Sequence, residues 1–143
     1  QPYLYGVTQL FRNREIWAVD TDFFSCVNHV EAGQKLYIPI SPLMKRLHNA
    51  LGHYRGAADA LGYRDQTRVI FGITNVTGYH LALGQSEFDK RGPMHDSDVI
   101  IERDLPADLS TKDVIGEFLK KLFDRYRYSE IPDKFKQELS NLR

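Results

Sequence analysis

Val114, Ile115, Phe118, Leu119, Leu122, Phe123 and Tyr126 recur at helical spacing, and a stripe this wide and this apolar is stable only when buried against a second element. Ser110-Thr111-Lys112-Asp113 stands just before it and reads as a capping box in which Asp replaces the usual Glu or Gln. A second stripe, Leu43, Leu47, Ala50, Leu51, Tyr54, Ala58 and Leu61, predicts another long helix. Ser41 is its expected N-cap, Pro42 its first helical residue, and Gly62 is placed to end it in a left-handed conformation. Two one-sided helices need a partner layer, and the rest of the sequence offers strands for it.

Tyr3 to Phe11 and Ile16 to Phe24 are rich in aromatic and β-branched residues and flank Arg12-Asn13-Arg14, which predicts a hairpin. Neither of its faces is cleanly polar, so both are expected to be partly covered. Lys35 to Ile40 reads as a short extended piece, with Pro39 restricting Ile38 to extended geometry. Thr67 to Ile73 and Gly78 to Leu83 flank Thr74-Asn75-Val76-Thr77 and predict a second hairpin. Gly84 to Asp96, polar and carrying Gly92-Pro93, is a loop. Asp98 to Asp104 is extended again, and Val99-Ile100-Ile101 in a row suggests a strand covered on both faces. Beyond Pro132 a short polar helix, Asp133 to Leu142, can pack only one narrow edge. The expected architecture is one α+β domain over residues 1–143: a two-layer, mainly antiparallel sheet of about five strands, with two main amphipathic helices packed on it. The order is hairpin, helix, hairpin, strand, helix.

At 143 residues, 42% hydrophobic and 27% charged, the chain is expected to bury a core without disulfide or metal staples. Lys+Arg and Asp+Glu both total 19, so no global positive field gathers nucleic acid or an anionic membrane. Cys26 is the single cysteine, which excludes an intrachain disulfide and a thiolate zinc site and points to a reducing, cytoplasmic compartment. No run approaches the roughly 20 apolar residues that span a bilayer, so no membrane partner is expected. The start at Gln1-Pro2, leading almost at once into a strand-like run, suggests a module of a longer protein. There is no Walker-type loop, GxGxxG or GxSxG, and no cofactor is implied.

Four groups of residues are weighed for chemistry. Asp20 and Asp22, and again Glu102 and Asp104, share a strand face at the spacing that grips hard cations, and four converging carboxylates with Lys90 would suit a metal-dependent hydrolase or nuclease. The plainer reading is solvated turn formers. Gly52 and Gly56, near His48, permit close approach of another backbone, either a partner's or that of the chain's own sheet. Lys120, Lys121, Arg125, Arg127 and Tyr128 offer a basic, aromatic face to nucleic acid, although Asp113, Glu117, Asp124 and Glu130 nearly neutralise it. Cys26 with His29 lacks an activating motif and reads as a small buried hydrophobe. The histidines show no HExxH or HxH pattern, and Asn75-Val76-Thr77, a glycosylation acceptor by sequence, has no role in a cytoplasmic chain.

The stretch from Leu51 to Leu83, in which ALGYRDQTRV feeds FGITNVTGYHLAL, followed by VIIERDLPADLSTKDVIGEFLKKLFDRY, resembles the region downstream of the Alba-like, schlafen-type DNA-binding domain of some bacterial proteins. The resemblance covers about the last two thirds of the chain, rests on scaffold signals and carries over no catalytic residue. It implies an accessory module of a bacterial nucleic-acid-associated or defence-type protein. The functional expectation is a non-enzymatic interaction module that binds a protein partner or self-associates, with nucleic-acid binding and metal-dependent hydrolysis as alternatives.

Overall fold

The computed structural model describes residues 6–10, 16–21, 23–24, 35–63, 67–84 and 87–143. Its elements are β1 (Gly6–Leu10), β2 (Ile16–Asp20), β3 (Tyr37–Pro39), α1 (Ile40–Ala60), β4 (Thr67–Ile73), β5 (His80–Ala82), β6 (Val99–Leu105), α2 (Thr111–Arg125) and α3 (Asp133–Asn141). The chain is α+β as expected, but the described strands form three two-stranded sheets rather than one of five: β1 with β2, β3 with β5, and β4 with β6. The first and last pairs are antiparallel, while β3 and β5 run parallel with Tyr37 opposite His80.

The second hairpin forms between different segments from those expected, and the reason lies in its turn residues. Asn75 and Gly78 do adopt left-handed backbone, φ 62° and 85°. They bend the strand without reversing it. Past β4 the chain continues antiparallel to the segment before β6, as Val76 N–H donates to Ser97 O, Gly78 N–H to Met94 O and Met94 N–H to Tyr79 O. The reversal comes later, where Leu83 and Gly84 N–H both donate to Glu87 O and Ala82 bridges to Phe88. β4 therefore pairs with β6, from Thr67 opposite Leu105 to Ile73 opposite Val99. β6 is covered on one face only: Val99 and Leu105 are buried, whereas Ile100, Glu102 and Asp104 are exposed.

α2 is the centre of the core. All of its stripe residues are buried, Val114 through Tyr126, and it packs against α1, β6 and α3. Phe118 lies 5.6 Å from the Phe71 ring and Phe123 lies 5.5 Å from Phe135 of α3. Each such large apolar side chain taken fully from water stabilises the fold by about 1.5–3 kcal/mol. The capping box is present, with Asp113 N–H donating to Ser110 Oγ at 3.2 Å and Ser110 N–H to Asp113 Oδ2 at 3.3 Å.

α1 begins one residue before the expected cap. Pro39 is the N-cap and its side chain makes no capping bond, while Ser41 Oγ donates to Glu138 Oε2 of α3 at 2.7 Å. Pro42 thus sits inside the first turn, where its missing N–H has no intrahelical acceptor to lose. At the other end Gly62 (φ 79°) donates to Asp59 O and Tyr63 N–H to Ala58 O, which is a Schellman closure. α2 closes the same way through a non-glycine residue, Arg127 at φ 63°. Burial of α1 is uneven: Leu43, Met44, Leu51 and Ala58 are buried, but Leu61 is exposed. No helix among the described residues is long and apolar enough to cross a membrane.

Candidate functional site

The carboxylate pairs stand apart. Asp20 ends β2 and Glu102 and Asp104 lie on β6, strands of different sheets, so the side-by-side arrangement needed for a four-carboxylate site is not formed by the described residues; Asp22 lies outside them. Asp20 is held locally by Arg46 of α1 at 2.5 Å and by Phe23 N–H at 3.1 Å. Glu102 pairs with Arg68 across the β4–β6 ladder at 2.5 Å. Among the described residues no group of three or more His, Cys, Asp or Glu side chains could hold a metal ion. Cys26, His29 and the Arg12-Asn13-Arg14 turn also fall outside the described residues.

Much of the basic C-terminal face is engaged within the chain. Lys121 Nζ donates to Ile100 O at 2.6 Å, and Arg125 pairs with Asp96 at 2.9 Å. Arg127 O accepts from Arg91 Nη1 at 2.7 Å, and Tyr128 OH donates to Asp89 Oδ1 at 3.0 Å. Lys120 is exposed beside a shallow groove of about 380 Å³ that Glu117, Asp124 and Glu130 also line. On α1, Gly52 and Gly56 do not pack against the chain's own sheet: both are exposed, and a Cβ at either meets nothing within 4 Å. His48 Nδ1 lies 3.2 Å from Thr111 Oγ1, which ties α1 to the start of α2.

A different surface feature is a strand edge. β4 pairs with β6 on one side, and among the described residues no strand lies on its other side. Among its residues Arg68 and Ile70 are exposed, Ile70 to 65%.

A second concavity lies where β3 and β5 meet the segment after the late reversal. It measures about 630 Å³ and is walled by Lys35, Tyr37, His80, Phe88 and Lys90. The Tyr37 and Phe88 rings lie 4.5 Å apart at 35°, with His80 5.9 Å from Tyr37, and Phe88 is 45% exposed. Burial and the neighbouring Lys35 charge lower the His80 pKa, against a weaker opposing pull from Asp89, so the imidazole is neutral at neutral pH.

Asp89 forms the floor of this groove. Its side chain is only 4% exposed; Oδ1 accepts from Tyr128 and lies 3.9 Å from Arg91, while Oδ2 is buried without a hydrogen-bond partner among the described residues. Arg91 in turn lies 3.7 Å above the Tyr128 ring. Glu87, on the rim, is occupied by Lys134 at 2.5 Å. Neither Lys35 nor Lys90 has an ion-pair or hydrogen-bond partner among the described residues. The groove therefore presents, beside an aromatic pair, two lysines without a partner among the described residues, together with the carboxylates of Glu87 and Asp89.

Sequence reasoning placed Lys90 in a loop and missed Tyr37, His80, Phe88 and Asp89 as a group. Tyr37 and His80 are brought together by a parallel pairing that no local signal announces. The tight reversal at Gly84 was the one available pointer to Phe88 folding back onto them. Comparison of the chain with protein-family models, with curated proteins and with solved structures finds no match.

Proposed function

We propose that this chain is a non-enzymatic interaction module that pairs with a second copy of itself, β4 adding to β4 across a two-fold axis. The observation that carries the reading is the β4 edge on which no strand lies among the described residues, in a strand whose Ile70 is 65% exposed. An unprotected edge of β-branched residues is a template for strand addition. The sequence Thr67-Arg68-Val69-Ile70-Phe71-Gly72-Ile73 suits an antiparallel copy of itself centred on Ile70. In that register Ile70 meets Ile70, Val69 meets Phe71 and Arg68 meets Gly72, so aromatic–aliphatic pairs form and no like charges oppose. The resemblance to an accessory region of bacterial multidomain proteins supports the same reading, since such modules act through contacts.

Sedimentation equilibrium over a concentration series tests it. The wild-type chain is expected to dimerise with concentration. Ile70→Lys, which sets two ammonium groups against each other, is expected to weaken the dimer by about tenfold or more while its circular dichroism spectrum stays that of the folded wild type. A wild-type chain that stays monomeric at every concentration, or an Ile70→Lys chain that dimerises equally well, overturns the proposal.

A further inference from the structure

The groove beside β3 and β5 is chemically unfinished, and what it lacks is specific. Its aromatic pair is only partly covered, with Phe88 45% exposed. Its two lysines, Lys35 and Lys90, pair with no anion among the described residues; of the two carboxylates that also line it, Glu87 pairs with Lys134, and Asp89 accepts from Tyr128 and lies 3.9 Å from Arg91 through Oδ1 alone. A purely apolar ligand would leave both ammonium groups unpaired, and a bare anion would leave the exposed Phe88 ring uncovered. A ligand with a flat ring and a phosphate satisfies both, since rings stack on aromatic faces and lysine binds phosphate as a point charge.

We propose that this groove binds a nucleotide unit, its base stacked on Phe88 and Tyr37 and its phosphate held between Lys35 and Lys90. The site uses side chains rather than a glycine-rich loop, which accords with the absence of any Walker-type motif in the sequence. The neutral His80 imidazole at the groove wall can both donate and accept, as a base edge requires. Asp89 Oδ2 on the floor, without a hydrogen-bond partner among the described residues, shows that the polar groups here are not closed among themselves. A groove of about 630 Å³ has room for one such unit. The unit can be a free mononucleotide or one residue of a single strand, and the two sources are separable by experiment.

The test measures binding of adenosine 5′-monophosphate by titration calorimetry and of a fluorescein-labelled deoxythymidylate decamer by anisotropy, on the full chain. Saturable binding of one or both is expected. A decamer that binds at least about tenfold more tightly than the mononucleotide assigns the groove to single strands, and equal affinities assign it to the free nucleotide. Phe88→Ala is expected to weaken binding about tenfold. Lys90→Glu should do the same and lower the dependence of log affinity on log salt by about one unit for the decamer. Both side chains are exposed, and an unchanged thermal midpoint and circular dichroism spectrum verify that the variants fold. The proposal is overturned if neither probe binds at millimolar concentration, if both variants bind as the wild type does, or if inorganic phosphate alone binds as tightly as the mononucleotide.

Discussion

At Gly72 the backbone of β4 approaches β6 so closely that a Cβ built there collides with the Val99 carbonyl oxygen and falls 2.8 Å from Ile100 Cα. Backbone atoms in a ladder cannot retreat as the end of a flexible side chain can. Gly72→Ala is therefore expected to destabilise the chain by about 1–3 kcal/mol, read from the urea midpoint. The opposite is expected on α1, where Gly52 and Gly56 face open space. Replacing either by Ala removes backbone freedom from the unfolded chain and should stabilise by about 0.5–1 kcal/mol. Loss of stability in Gly52→Ala or Gly56→Ala would mean that something fills that space. The same residue type thus has contrary consequences at positions that the sequence pattern alone treats alike.

Among the elements, the connection from β6 to α2 depends on one side chain of α1. Arg55 donates from Nη1 to Leu109 O and from Nη2 to Pro106 O at 2.9 Å and Ala107 O at 2.7 Å, gathering the carbonyls that precede the capping box. Lysine cannot reproduce that planar fork. Both Arg55→Lys and Arg55→Ala are expected to cost about 1–3 kcal/mol and to speed amide exchange across 106–110, with α2 itself still protected. Unchanged exchange in that loop would refute the clamp. Arg55 was invisible in the sequence because its role is set by contacts with residues far along the chain. What could be read locally was read well: the capping box at Ser110, the left-handed Gly62 and the whole buried stripe of α2 are each decided within a few residues. Strand partners were not, because Asn75 and Gly78 signal a turn without saying whether the chain reverses or merely bends. The groove shares that fate, since it exists only through the parallel pairing of β3 with β5 and the return of Phe88.

For the molecule as a whole the formal net charge at pH 7 is zero, and the described groups with shifted pKa values each contribute to the pH dependence of stability. His80 titrates below its ordinary value of 6.5, through burial and then Lys35, with Asp89 opposing. Between 6.5 and the lowered folded value the unfolded chain binds a proton that the folded chain refuses, so stability falls as pH drops through that window. Tyr126 is shifted the other way, raised well above 10.0 by burial and by the Asp89 charge, while its hydroxyl donates to Tyr79 O at 2.7 Å. Tyr128 is raised by burial and its bond to Asp89. Here the unfolded chain releases protons first, so the stability these tyrosines contribute is complete below pH 10.0 and is lost as pH rises above it. The expected profile is a plateau with two limbs, and each limb has its own control. His80→Gln should flatten the fall below pH 6.5, and Tyr126→Phe should make the alkaline limb shallower while costing about 0.5–1.5 kcal/mol at neutral pH. Since Met94 N–H still donates to Tyr79 O in Tyr126→Phe, that neutral-pH cost is the loss of one bond and not an orphaned carbonyl. Urea midpoints of the three proteins across the pH range decide the matter: a His80→Gln curve parallel to the wild type below pH 6.5 would show that other groups set the acid limb.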